Sequence, residues 1–435
     1  MEQTSSEGLV RGIRRLDLVG VVINSMIGAG IFVLPAKAFD LIGTYSLIAF
    51  GVCALVVVLI VLCFAEVSSR FTETGGPYLY AREAFGPAIG FQVGWMQWLA
   101  RISAYATNCN LLVVYLSLFW PEAGSGFRRA LVITGLTLAL TVVNYIGVRN
   151  AALTSDFFTV AKLLPLLLFI ATGLFFLTPA NFELGDHPPY GSFSTAVLLL
   201  IYAFTGFENA GTPAGEIVNP RRNLPLAILI AMALVAAVYI LIQVVCIGTL
   251  PTLATTERPL ADAAGMFLGP TGASIIAAGA ITSVIGNLNV NILTTPRIPF
   301  AMSKHHELPS ILSAVHTRFR TPHIAIVLTA TLMLALTLSS SLIYALTVST
   351  IARLIVYAVT CGALPTLRHK ANSPPALITV PGGTLISIIA ILLSFWLLAN
   401  STLKEARDSA IAAAAGIAIY LVYRMFRSTT SKSSK

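Results

Sequence analysis

The stretch Asn24-Ser25-Met26-Ile27-Gly28-Ala29-Gly30-Ile31-Phe32 interrupts a long apolar segment with glycine and polar residues. A second apolar segment is interrupted in the same way at Tyr202-Ala203-Phe204-Thr205-Gly206-Phe207-Glu208-Asn209. In a lipid bilayer every backbone polar group needs a partner, so an unwound stretch persists only where it lines a cavity or meets a ligand. Paired interruptions at matching positions of two halves are typical of secondary transporters. They predict a substrate site between the two breaks.

The composition is that of a membrane protein. Hydrophobic residues make up 56% of the 435-residue chain and charged residues only 10%, and the mean hydropathy is +0.85. A soluble domain carries roughly 25% charged residues. Because a spanning helix needs about 20 apolar residues, the chain has room for about 12 spans. Their predicted centres lie near Met26, Val57, Ala104, Leu138, Leu167, Ala203, Val235, Gly286, Thr331, Ile355, Ile389 and Ala415.

The positions of the two breaks predict the domain organisation. If the breaks in spans one and six correspond, the repeat unit is five spans, and an odd number of spans inverts the second copy in the membrane. We expect one transmembrane domain over 1–435, with a first repeat at roughly 12–180, a second at roughly 190–370 and two further helices at roughly 375–427. The polar tail 428–435 should be disordered.

The net charge of +9 is an orientation signal and not a nucleic-acid footprint. Lys and Arg concentrate in alternate loops, which the positive-inside rule places in the cytoplasm together with both termini. The basic residues predicted to lie inside are Arg11, Arg14, Arg15, Arg70, Arg82, Arg149, Arg221, Arg222, Lys304, Arg318, Arg320, Arg368, Lys370 and those of the tail from Arg424 onward. We therefore expect a multi-pass protein of the plasma (inner) membrane.

Enzymatic chemistry has little support in the sequence. The five cysteines lie singly in or near apolar runs, and no two histidines share a helix face. A disulfide framework, a metal site and a cofactor are therefore not expected. A membrane-embedded enzyme would need a nucleophile–base or metal constellation, so it remains only a remote alternative.

The glycines of the first break have two interpretations. They allow backbone N–H groups to point at a ligand from the positive end of a helix dipole, for which an amino-acid carboxylate is a natural partner. Alternatively, small residues permit a close contact between two helices. The matching break in span six favours the first interpretation, in which the backbone amides bind a ligand.

Glu208 and Lys162 are ionisable residues inside apolar runs, where charge is costly and usually functional. Glu208 is either a proton carrier or a carboxylate that caps backbone amides freed by the break. Lys162 either extends to the membrane interface or acts as a fixed cation that replaces a bound sodium ion and donates to carbonyls freed in span one. The sequence favours the functional role for Glu208 and leaves the choice for Lys162 open.

Other polar residues in the spans have structural interpretations. Arg101 and Arg353 are expected to pair with carboxylates or carbonyls as locks or gates. Arg297 and Glu66 lie near span ends, where long side chains reach the interface. Asn287 and Asn291 are four residues apart and share a helix face, so they either bond across helices or line a polar path.

Several segments together resemble the amino acid–polyamine–organocation superfamily, over essentially the whole chain. They lie at 27–32, 65–68, 74–78, 206–208, 215–225 and 297–309. The resemblance implies an all-α, leucine-transporter-type fold with a five-plus-five inverted repeat, broken helices 1 and 6, and the activity of an amino-acid permease.

The resemblance also implies roles for individual residues. Backbone amides of Ile27, Gly28, Ala29 and Gly30 would bind the substrate carboxylate, and carbonyls around Phe204 and Thr205 would bind its ammonium group. Lys162 matches a lysine that replaces sodium in proton-coupled and sodium-independent members. The side chains expected around the substrate are those of Tyr105, Asn108, Tyr202, Phe204, Phe207 and Asn291.

The expected function is secondary, sodium-independent transport of an amino acid, by proton-coupled symport or by exchange. Tyr202 and Asn291 stand where some diamine and arginine antiporters of the superfamily have tryptophan, which favours a small or neutral substrate. Antiport of cationic amino acids or polyamines on the same fold is the alternative. The expected partners are the amino acid, protons and the lipid bilayer, and the sequence does not decide whether an accessory subunit binds.

Overall fold

The computed structural model describes residues 9–339, 342–371, 373–400 and 403–433, and the regular secondary structure of these residues is helical. The α-helices are α1 (Arg15–Met26), α2 (Gly30–Ile42), α3 (Ser46–Ser68), α4 (Pro77–Phe85), α5 (Pro87–Leu116), α6 (Gly126–Ile146), α7 (Val148–Gly173), α8 (Tyr190–Phe204), α9 (Pro220–Thr249), α10 (Pro259–Thr294), α11 (Arg297–Lys304), α12 (His323–Ser339), α13 (Leu342–His369), α14 (Gly383–Ala399) and α15 (Leu403–Ser433).

The all-helical membrane architecture predicted from the sequence is confirmed. Within the described residues, eight helical segments are long and apolar enough to cross a membrane, and α12 and α14 are shorter apolar helices. Every predicted span centre falls inside one of the helices. The inverted relation of the two halves and the division at roughly 12–180, 190–370 and 375–427 stay predictions.

The disorder expected for the tail at 428–435 stays a prediction. Helix α15 is described as far as Ser433, and Ser434 and Lys435 lie outside the described residues.

Both predicted helix breaks are present. Span one consists of α1 and α2, which are separated between Met26 and Gly30. In span six, α8 ends at Phe204 and a short 3-10 helix follows at Phe207–Gly211. A Cβ atom at Gly30 would lie 2.7 Å from the Cα atom of Ala203. This glycine therefore permits the close helix contact that was the alternative interpretation of the first break, and the two breaks adjoin.

Arg297 and Glu66 do not extend to the interface, contrary to the expectation from the sequence. Arg297 is fully buried and donates from Nε and Nη2 to the two carboxylate oxygens of Glu216, at 2.8 and 2.9 Å. Glu66 is also buried, and both its oxygens accept from Arg368 at 2.6 Å. A partner of opposite charge on a distant segment makes burial possible in each case.

The segment before α1 is attached to the chain that follows the second break. The backbone of Ile13 donates to the carbonyl of Glu216 at 3.0 Å and accepts from the amide of Val218 at 2.9 Å, as in a parallel β-bridge. At the start of α1, Arg15 Nε donates to Asn223 Oδ1 at 2.9 Å. We name residues 9–14 the N-terminal strap.

Arg297→Met should strongly destabilise the protein, because it leaves the Glu216 carboxylate buried without its cation, a loss of about 3–5 kcal/mol. The measurement is the midpoint of heat unfolding of the detergent-purified protein. The matched control is Arg407→Met, which removes a guanidinium that is 66% exposed in its pair with Asp408 and should change stability by less than about 1 kcal/mol. Equal shifts in the two variants would contradict the assignment.

Candidate substrate site

A polar cavity lies between the two helix breaks. Its free volume is about 20 Å³, enough for a water molecule and too small for an amino acid. The structure is therefore closed around the site. The lining residues are Ser25, Met26, Gly28, Ala29, Gly30, Ala104, Asn108, Tyr202, Thr205, Asn209, Asn287, Asn291 and Arg353.

Lys162 holds the end of α1 from the neighbouring helix α7. Its Nζ donates to the carbonyl of Ile27 at 2.6 Å and to that of Asn24 at 3.3 Å. Only 1% of the residue is exposed, so it does not extend to the membrane interface. The structure thus places the Lys162 amine on the carbonyls that the first break frees from helical bonding.

Helix α10 supplies further donors to the same break. Ser283 Oγ donates to the carbonyl of Ile27 at 3.2 Å. Asn287 Nδ2 donates to the carbonyls of Asn24 and Ser25, at 3.0 and 2.7 Å. The unwound turn is therefore fixed by side chains of α7 and α10, and Asn287 also lines the cavity.

Three of the four amides predicted to bind a carboxylate already have partners in the closed structure, and that of Ile27 donates to the carbonyl of Ile23 at 2.8 Å. The amide of Ala29 donates to Asn108 Oδ1 at 3.0 Å, and that of Gly28 donates to the carbonyl of Met26 at 2.9 Å. Asn108 is held in turn by its own Nδ2, which donates to the carbonyl of Ala104 at 2.8 Å. A bound carboxylate would have to replace Asn108 as the acceptor for Ala29.

Glu208 caps the second break. Its Oε2 accepts from the amide of Gly206 and from the hydroxyl of Tyr357, both at 2.8 Å, and its Oε1 accepts from Arg353 Nη1 at 2.7 Å. The carboxylate does not line the cavity. This geometry fits the capping alternative. Arg101 lies nearby and donates from Nη2 to Thr212 Oγ1 at 2.8 Å.

Tyr239 on α9 reaches both breaks, although it is not among the residues predicted from the sequence. Its hydroxyl lies 3.1 Å from the carbonyl of Met26 and 3.2 Å from that of Ala203. The available signal was the single aromatic residue of a mostly aliphatic span, since a buried phenol usually has a hydrogen-bond partner.

Seven of the predicted substrate residues line the cavity, and four do not. Those that do are Gly28, Ala29, Gly30, Asn108, Tyr202, Thr205 and Asn291; those that do not are Ile27, Tyr105, Phe204 and Phe207. The lining residues that the site prediction omitted are Ser25, Met26, Ala104, Asn209, Asn287 and Arg353.

The three aromatic residues that do not line the cavity contact other parts of the bundle. Ala104 and Asn108 are four residues apart and share the face towards the cavity, whereas the hydroxyl of Tyr105 bonds to Thr137 of α6 at 2.9 Å. The ring of Phe207 packs between Phe64 and Tyr357. The ring of Phe204 packs against Tyr239.

An enclosed polar cavity between two broken helices in a membrane-spanning bundle is the arrangement of a secondary transporter. The model of the amino acid permease family matches residues 13–423, and the chain belongs to this family. This membership confirms the predicted amino acid–polyamine–organocation superfamily and assigns amino-acid transport to the chain.

Curated relatives match nearly the whole chain. It is 30% identical to the serine/threonine exchanger SteT of Bacillus subtilis (strain 168), over 97% of this chain and 98% of the relative. An uncharacterized transporter of Mycobacterium tuberculosis is 30% identical over 86% of this chain and 84% of its own length. The human large neutral amino acids transporter small subunit 2 is 29% identical over 91% of this chain and 77% of its own length.

Gly206→Ala should destabilise the closed structure. Gly206 has φ +118°, and a Cβ atom there would overlap the carbonyl oxygen of Ser25 in the first break. Strain of this kind costs about 1–3 kcal/mol, apart from the clash itself. The heat-unfolding midpoint in detergent should fall clearly. The matched control, Gly191→Ala on α8, places its methyl group in open space and should leave the midpoint unchanged. An unchanged heat-unfolding midpoint in Gly206→Ala would refute the tight contact between the breaks.

Proposed function

We propose that the protein transports small neutral amino acids without sodium, by exchanging one amino acid for another across the plasma membrane. The observation that carries this proposal is the bond from Lys162 Nζ to the carbonyl of Ile27. A fixed ammonium group supplies the positive charge and the donors that these oxygens would otherwise seek from a cation. Exchange is supported by the Bacillus relative, which is a serine/threonine exchanger.

The cavity lining supports a neutral substrate. It offers amide and hydroxyl groups, and its charged member is Arg353, with no carboxylate among the lining residues. A cationic side chain would meet this guanidinium, while the Glu208 carboxylate behind it lies outside the lining and is already bonded to Arg353, so the approach of a second cation is unfavourable. A short hydroxyl side chain has donors and acceptors within the lining, at Asn209 and Asn291. This argues against the cationic amino-acid and polyamine alternative.

The two helix breaks suit the main-chain groups of an amino acid. The substrate carboxylate would approach the amino end of α2, at Gly28, Ala29 and Gly30, where the helix dipole is positive. The ammonium group would approach the carbonyls near Phe204 and Thr205, at the negative carboxyl end of α8. Because the closed cavity is too small for the substrate, binding requires the bundle to open, as alternating access demands.

Proton-coupled symport is the second candidate, and the position of Lys162 also favours it. A buried amine can take up and release a proton when its surroundings change. Glu208 is a weaker candidate for the coupling group, because it lies outside the cavity lining and is bonded to Arg353, Tyr357 and the amide of Gly206.

The positive-inside distribution of Lys and Arg supports the orientation of the protein in the membrane. Both termini are proposed to be cytoplasmic.

Proteoliposomes test both candidates. In sodium-free buffer, uptake of radiolabelled serine should be faster when the vesicles contain unlabelled serine or threonine than when they are empty. Lys162→Met should lower this uptake by about tenfold or more, since it removes the closest donor from the buried carbonyl of Ile27 and one of the two donors from that of Asn24. The matched control is Lys37→Met, which removes an exposed lysine of α2 and should retain wild-type uptake.

The other outcomes are equally informative. Uptake into empty vesicles that is stimulated by an inward proton gradient, and lost in Lys162→Met, would replace exchange by symport. Uptake of arginine or putrescine in preference to serine would overturn the neutral-substrate proposal. Sodium-dependent uptake by the wild-type protein would overturn the role given to Lys162.

A further inference from the structure

A two-part groove lies outside the substrate cavity, where α4, α5 and α15 meet the turn after α11. Its polar part has a volume of about 420 Å³ and is lined by Arg82, His305, His306, Glu307, Tyr423 and Arg424, among others. Its apolar part has a volume of about 450 Å³ and is lined by Ile89, Val93, Ile355, Val359, Ile417 and Leu421, among others. Ala88, Tyr420 and Arg424 line both parts, so the groove is continuous.

The polar part carries an excess of positive charge. Glu307 is its single lining carboxylate, and both oxygens are occupied: Oε1 accepts from Arg82 Nε at 2.9 Å and Oε2 from the hydroxyl of Tyr78 at 2.8 Å. Arg424 is exposed, and none of the described ion pairs includes it. Burial lowers the pKa of His305 to about 4, so this ring is neutral at physiological pH. The charge of Arg82 thus balances that of Glu307, and the charge of Arg424 remains as the net charge of the polar part.

The apolar part faces the lipid. Ile89 at the start of α5 is 43% exposed, and Ile417 and Leu421 of α15 are 52% and 51% exposed. Both helices belong to predicted membrane spans, where such side chains meet acyl chains. The groove therefore joins a cationic region at one end of the spans to an apolar channel that runs into the hydrocarbon layer. This distribution of charge is complementary to an anionic amphiphile.

We propose that the groove binds an anionic phospholipid, with the phosphate at Arg82 and Arg424 and an acyl chain against α5, α13 and α15. Guanidinium groups bind phosphate oxygens through charge-assisted hydrogen bonds. The first residues of α5, Pro87 and Ala88, lie in the polar part and add the favourable end of a helix dipole. The acyl chain distinguishes this occupant from a free phosphate ion, which would use the polar part alone.

Native mass spectrometry of the full chain, purified in detergent and mixed with equal amounts of phosphatidylglycerol and phosphatidylcholine, tests the proposal. The wild-type protein should retain phosphatidylglycerol preferentially. Arg424→Gln should reduce this retention about fivefold, the effect of one basic residue near an anionic headgroup. The matched control is Arg407→Gln, which removes an exposed arginine near the opposite end of the same helix and should leave retention unchanged.

A second pair of variants tests the apolar part without changing charge. Ala88→Trp fills the junction of the two parts and should abolish preferential retention, whereas Ala139→Trp, at an exposed position of α6, should not. Unchanged heat-unfolding midpoints would show that all four variants fold. Equal retention of the two lipids, wild-type retention by Arg424→Gln, or displacement of the lipid by millimolar inorganic phosphate despite an intact apolar part would overturn the proposal.

Discussion

Backbone groups that a broken helix frees inside a membrane must find partners within the protein, because the hydrocarbon layer offers none. The carbonyls at the end of α1 meet this demand through Lys162, Ser283 and Asn287, which donate from two other helices. Tyr239 extends the arrangement to the carbonyl of Ala203 in the second break. The same unwound turns line the cavity, so the interactions that make the breaks tolerable also shape the binding site.

The second break depends on charge compensation as well as on hydrogen bonding. Glu208 accepts from the amide of Gly206 and from Arg353, which reaches across from α13 and also lines the cavity. A buried carboxylate without such donors would be strongly destabilising. Because Arg353 belongs to α13, its bond to Glu208 makes the geometry of the second break depend on the position of α13. A change in the cavity that displaces Arg353 would therefore affect the carboxylate that holds the second turn.

The sequence predicted the features that depend on local composition, and it missed those that depend on rotation or on distant partners. Apolar length located the spans, and glycine with polar neighbours located both breaks. The choice between Ala104 and Tyr105 as a lining residue depends on a rotation of one position about α5. The polar residues of this helix, among them Arg101, Ser103 and Asn108, do not all lie on one face, so they do not specify that rotation. The pairing of Arg297 with Glu216 joins residues far apart in the chain, so only the folded structure reveals why Arg297 is buried.

The N-terminal strap has a mechanical consequence. Its two backbone hydrogen bonds to residues 216 and 218 connect the entrance of the first broken span to the exit of the second, independently of the side chains in the cavity. Backbone hydrogen bonds of this kind fix which residues pair, and they tolerate little change in the distance between the two segments. Separation of these two spans at this face would require the bridge to break, whereas joint movement of the spans would preserve it. The strap therefore couples the start of the first broken span to the end of the second. While its two backbone bonds are intact, the two spans can move at this face only together.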